Sequence, residues 1–154
     1  MHTIKCDVIS GEVIQIPFTA EEEAEWDARE AQAAIEAPAK ARASKWEAIK
    51  ATRDARKSGG ALVGTKWFHT DADSRIQQLG LVLMGASVPA VPWKTLDGTF
   101  TTMSQTLAGQ IFAAVAALDM ALFANAEAHR TAMEASANPD QYDFSAGWPD
   151  HFPI

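Results

Sequence analysis

The chain has 154 residues, 47% of them hydrophobic, which is enough for one modest core with an appendage and too apolar for global disorder. A net charge of −7 argues against general affinity for nucleic acid, and the single cysteine, Cys6, excludes an internal disulfide or a cysteine-built zinc site and suggests a reducing compartment. The opening MHTIKCDVIS lacks the layout of a signal peptide, and no window is expected to approach the roughly 20 apolar residues of a membrane span, so the expectation is a soluble protein without membrane insertion.

Residues 3 to 18, TIKCDVISGEVIQIPF, alternate around Ser10-Gly11 and predict a small hairpin closed by Pro17. Thr19 followed by Glu22 has capping-box spacing, and the acidic first turn suits the positive end of a helix dipole. That helix, Thr19 to about Ala37, is alanine-rich with Trp26 and Ile35 as its large apolar residues, so it needs a partner to be stable. Pro38 predicts a break, and a second helix from about Ala39 to Lys57 carries Trp46, Ile49 and Arg53 near one face before Ser58-Gly59-Gly60 stops it. The first helix is loaded with acid (Glu21, Glu22, Glu23, Glu25, Asp27, Glu30, Glu36). The second is loaded with base (Lys40, Arg42, Lys45, Lys50, Arg53, Arg56, Lys57). Two solvated faces attracting each other, within a chain or between chains, is the favoured reading over a basic patch for nucleic acid.

From Gly59 to Glu134 one pattern is written twice, a short hairpin followed by a capped helix. The first hairpin is expected over Ala61 to Val63 and Lys66 to His69 around Gly64-Thr65, the second over Val91 to Thr95 and Thr99 to Met103 around Asp97-Gly98. Thr70 or Asp71 caps a helix to about Met84, with Ile76, Leu79, Val82 and Leu83 as its apolar stripe and Gly85 as its stop. Ser104 caps the longest helix, to about Ala135, whose Leu107, Ile111, Val115, Leu118, Leu122 and Met133 recur at helical spacing, widened by Phe112 and Phe123. The tail NPDQYDFSAGWPDHFPI has no period; it is either a strap across the domain or a peptide offered to a neighbour.

The expected fold is α+β: two β-hairpins, preferably joined as one small antiparallel sheet to leave fewer open edges, packed on the long C-terminal helix and a shorter helix. An N-terminal hairpin plus two-helix appendage completes it. Three regions follow: 1–58 for docking or oligomerisation, 59–137 as the α+β domain, and 138–154 as an extended aromatic tail.

Chemistry is thinly signalled. His69, Asp71 and Asp73 could form a metal or acid-base site, but both aspartates stand where a helix wants capping oxygens. His129 has no partner at HExxH spacing, and His2 and His151 are terminal. No GxSxG elbow, GxxxxGK[ST] loop or GxGxxG turn occurs, and Cys6 lacks an adjacent base. No enzyme activity, metal or cofactor is therefore expected. The five tryptophans point to packing for Trp67 and Trp93, and equally to interfaces for Trp26, Trp46 and Trp148. The protein-interface candidates are Trp26, Ile35, Trp46, Ile49, Tyr142, Phe144, Trp148 and Phe152.

Arg53-Asp54, Gly60, Trp67-Phe68, Thr70-Asp71, Trp93-Lys94, Asp97-Gly98, Phe100 and the helix from Ser104 together resemble a carboxy-terminal domain of unknown function. That domain is found in tail-fibre and tail-assembly proteins of tailed bacteriophages and prophages. The likeness covers roughly residues 53 to 135, and GEVIQIPFTAEEEAEWDAREA is more weakly similar to the openings of short phage tail proteins. It implies a virion tail, synthesised in the host cytoplasm, and a non-enzymatic structural component of the tail fibre or distal tip. Such a component docks to other tail proteins and can serve host attachment; the alternative is a tail-fibre assembly chaperone absent from the particle. The resemblance admits a homotrimer, though no sustained heptad specifies one, and a host receptor, though no residue identifies it.

Overall fold

A computed structural model describes residues 2–6 and 13–153 of the chain. It divides into two compact units, Met1–Ala41 and Arg42–Ile154, and the division falls inside a helix. Residues 42–58 and 138–153, which the sequence sets apart, belong to the same unit as 59–137.

In the first unit, β1 (His2–Cys6) pairs antiparallel with β2 (Val13–Pro17), Cys6 facing Val13 and His2 facing Pro17. The expected Ser10-Gly11 turn lies outside the described residues. Thr19 and Glu22 form the expected capping box: Glu22 N–H donates to Thr19 Oγ1 at 3.3 Å, and Thr19 N–H donates to Glu22 Oε2 at 2.8 Å. They open α1 (Ala20–Lys57), which is one helix rather than the two expected, with Pro38 in its interior. A proline there removes one ladder hydrogen bond and crowds the preceding turn. The helix continues because its neighbours are alanines, the strongest helix formers, and because local side-chain links bridge the gap. Gln32 donates to Glu36 at 2.8 Å, and Lys40 pairs with Glu36 at 2.8 Å across the proline.

The second unit is built along α3 (Gln105–Ala135). Ser104 caps it, its hydroxyl accepting from Leu107 N–H at 3.2 Å. One core cluster joins Ile111, Ala108 and Val115 of α3 to Ala61 of β3 (Ala61–Val63), Phe68 of β4 (Lys66–Phe68) and Met103. Trp93 of β5 (Pro92–Lys94) packs against it, and β6 (Phe100–Thr102) returns antiparallel to β5. Further along α3, Ala126 and Met133 meet Ile49 of α1 under Trp46, Tyr142, Phe144 and Trp148. The tail is thus a strap, pinned by Phe152 N–H to the Gly59 carbonyl at 2.9 Å.

The two hairpins of this unit form separate two-stranded ribbons, not the single sheet expected. Each strand has three residues, and Pro92 removes a donor from β5. What joins them is one backbone bond, Leu96 N–H to the Trp67 carbonyl at 2.9 Å, and Lys66 Nζ reaching Asp97 at 3.0 Å and Thr99 at 2.7 Å. Gly60 makes the approach possible. It sits at φ +93°, and a methyl group there would fall 2.3 Å from Leu96 Cδ1.

The helix α2 (Ala72–Met84) ends at Gly85, as the sequence suggests, but it is rotated relative to the expected stripe. Of that stripe Ile76, Leu79 and Leu83 are exposed and Val82 alone packs on the core, beside Leu81, while Gln78 is buried. Polar anchors set the rotation. Gln78 Nε2 donates to the His69 carbonyl at 2.7 Å, and Arg75 is drawn to α3. The outer flank of α3 is exposed as well. By length and composition α3 is apolar enough to cross a membrane, contrary to expectation, and only 22% of its most apolar window is buried. That window surrounds Asp119, which is ion-paired to Arg75, an arrangement fitted to a packed helix pair rather than to lipid.

Candidate functional site

The histidine and aspartate cluster resolves into a helix cap. Asp71 accepts from Ser74 N–H at 2.9 Å and from the Ser74 hydroxyl at 2.6 Å, and these bonds hold its carboxyl below the usual carboxylate range. His69 contributes its carbonyl to Gln78, and Asp73 lies in the first turn of α2. Among the described residues no group of three or more His, Cys, Asp or Glu is placed to hold a metal ion.

His129 is a structural clasp. The Ala146 carbonyl, 2.9 Å from Nε2, can only accept, so Nε2 carries a proton, and Nδ1 shares a hydrogen bond with the Tyr142 hydroxyl at 2.9 Å. The same ring lies 5.4 Å from Trp148, 5.8 Å from Tyr142 and 6.4 Å from Phe144. Trp148 Nε1–H closes the loop onto the Phe144 carbonyl at 2.7 Å.

Six of the eight interface candidates are engaged within this unit. Ile49 is fully buried, Trp46, Tyr142, Phe144 and Trp148 pack over it, and the Phe152 ring lies 6.3 Å from Trp67. The basic stretch of α1 has a matching use, since five of its seven cations lie over aromatic rings. Arg53 is 4.4 Å and Lys57 5.6 Å from Phe123, Lys45 is 5.6 Å from Phe144, and Arg56 is 5.8 Å from Trp148. Cations over ring faces are attracted by the ring quadrupole, so these charges help to fix the strap and the long helix to α1.

The two remaining candidates are in the first unit and are exposed: Trp26 at 41% and Ile35 at 74%. Trp26 is held by Phe18, with centroids 6.1 Å apart, and by the Arg29 guanidinium 6.0 Å from its ring. A shallow recess of about 330 Å³ opens between Trp26, Arg29, Glu30 and Ala33. No described position from 18 to 41 is buried. A helix with so little covered is marginal alone, and an ordered, half-exposed tryptophan is the residue type that anchors interfaces.

Sequence reasoning passed over Arg75. It donates from Nε to the Thr70 carbonyl at 2.6 Å, from Nη2 to the Lys57 carbonyl at 2.9 Å, and from both Nη atoms to Asp119. Its signal was present in α3, where Asp119 is the only charge between Gln105 and Ala126 and a lone carboxylate in such a run needs a partner.

No curated protein and no solved structure matches the chain. A family model described as a domain of unknown function, DUF4376, matches residues 40–146, more than half of the chain and nearly the span of the second unit. The chain belongs to that family.

Proposed function

We propose that this chain is a non-enzymatic structural component of a bacteriophage tail, at the fibre or the distal tip, acting through protein–protein docking. The observation that carries docking is the acidic helix segment of the first unit, which presents Trp26 and Ile35 to solvent beside a recess. A Trp in a recess rimmed by Arg29 and Glu30 supplies an apolar anchor with polar specificity at its edge. The tail setting is supported by the resemblance of the pattern from Arg53 to Ala135 to tail-fibre and tail-assembly proteins. Host attachment is a consequence of a place at the fibre or tip.

Quantitative mass spectrometry of purified particles tests this reading. A fixed stoichiometry to the major tail protein supports a structural component. Absence from particles whose fibres depend on this chain for assembly would replace it with the assembly-chaperone reading. Trp26→Ala should weaken capture of the docking partner by roughly 30-fold or more, as loss of a hot-spot tryptophan does.

A further inference from the structure

The outer face of the α2–α3 pair carries more apolar surface than the fold uses. Ile76, Leu79 and Leu83 are 69%, 42% and 78% exposed, and Phe112 and Met120 are 44% and 68% exposed. With Ala116 between the last two, this face offers on the order of 700 Å² of apolar area. That exceeds the ~300–600 Å² patch usual on a monomer and approaches the ~800 Å² each partner brings to a standard interface.

We propose that a second copy of this chain covers this face, giving a two-fold dimer in which the α2–α3 pairs of the two protomers stack as layers of a four-helix sandwich. Three observations point to a second copy. The charges that line its groove, Arg75 and Asp119, are spent on each other, so the groove selects no partner of opposite sign and its best complement is another apolar face. The donors at its floor already have acceptors: Arg75 has Asp119, Thr70 and Lys57, and Gln78 Nε2 has the His69 carbonyl. Covering them takes none of these donors from its acceptor. The face also contains both halves of a self-complementary contact. A groove of about 270 Å³ runs between Ile76, Leu79, Phe112 and Ala116, while Leu83 and Met120, both largely exposed, stand outside it as projections. In a two-fold contact the projections of each protomer fill the groove of the other.

The proposal depends on neither the tail setting nor the Trp26 surface. Sedimentation equilibrium of the full chain at about 100 μM, where a micromolar contact is populated, should give a dimer. Leu83→Lys and Met120→Lys replace exposed side chains, so each should keep the helical circular dichroism of the parent while raising the dimer dissociation constant at least ~100-fold. Trp26→Ala should leave the dimer intact, which separates this contact from tail docking. A monomer at that concentration overturns the proposal, as does an oligomer that survives both lysine variants. A monomer that co-sediments with lipid vesicles through this face overturns it too.

Discussion

Arg75 and Asp119 form a two-pronged ion pair, Nη1 to Oδ2 at 2.6 Å and Nη2 to Oδ1 at 3.1 Å, with the same guanidinium spanning to the Lys57 and Thr70 carbonyls. One planar side chain thereby ties α3, the approach to α2 and the C-terminal end of α1, whose last carbonyls have no helical acceptor role left to fill. Their side chains are 24% and 31% exposed, so the pair is shielded more than a surface pair and less than a buried one. Arg75→Ala should cost about 2–3 kcal/mol in urea unfolding, between the surface and buried limits. The double variant with Asp119→Ala should cost clearly less than the sum of the two single variants. Additive losses would deny the coupling.

What the sequence made legible was local. The Thr19 and Ser104 caps, the Gly85 stop and both hairpins of the second unit stand where turn and cap chemistry put them, because each depends on residues within four positions. The α2 rotation was not legible. Ile76, Leu79 and Leu83 satisfy a helical period as well as any core stripe, and period alone cannot say which face goes inward. That choice was made by Arg75 and Gln78 through partners in other elements. The continuity of α1 through Pro38 was hidden for a related reason, since the local proline rule was outweighed by its alanine flanks. Of the interface candidates, aromatic character was visible, but its use within the chain or beyond it depends on the tertiary contacts of α3.

Among the described glycines, Gly60 is the least tolerant of a side chain. Its N–H donates to the buried Thr70 hydroxyl at 2.9 Å, its φ is +93°, and Leu96 closes over it. Gly60→Ala should lose about 1–3 kcal/mol from backbone strain, with more from the displacement of Leu96. Gly64→Ala, also at positive φ but with open space around it, should lose only the strain. Equal urea midpoints for the two variants would remove the role assigned to Leu96.

Stability should depend on acid pH through Asp97. The Thr95 and Thr99 hydroxyls, the Thr99 N–H and Lys66 all favour its charged form, and its pKa is lowered far below the usual value. A carboxyl lowered on folding contributes stability that is complete above the unfolded pKa of about 3.9 and is lost as pH falls toward the folded value. Asp71 and Asp143, lowered by bonds from Ser74 and Ser145, act in the same direction. Thermal melting should therefore be flat from neutral pH to about pH 5 and fall steeply below pH 4. In Asp97→Asn the neutral melting temperature should be lower and the acid slope shallower. A parallel acid slope in parent and variant would exclude Asp97 as a main contributor.

The strap should be separable from the rest of the fold by mutation. Trp148 packs on His129, lies under Arg56 and closes onto Phe144, so Trp148→Ala should cost about 2–3 kcal/mol, less than a fully buried tryptophan. Tyr142→Phe removes only the bond to His129 and should cost about 1 kcal/mol. Limited proteolysis gives the sharper readout: Trp148→Ala should open cleavage after Asn138 while the hairpins and α2 stay protected. Simultaneous loss of all protection would mean that the strap and the core unfold as one unit.

Pro38 allows a test of the exposed helix without touching the core. Alanine there would restore one ladder hydrogen bond and relieve the crowded turn, a local gain of up to about 3 kcal/mol. Because no described position from 18 to 41 is buried, that gain should appear locally rather than in global unfolding. Hydrogen exchange of the amides around residues 34 to 41 should slow by up to roughly 100-fold in Pro38→Ala, while the urea midpoint reported by the tryptophans near Ile49 stays put. A matching rise in the global midpoint would show that this helix segment and the α3 core share one cooperative unit. Unchanged local exchange would mean that Pro38 imposes no penalty in this helix.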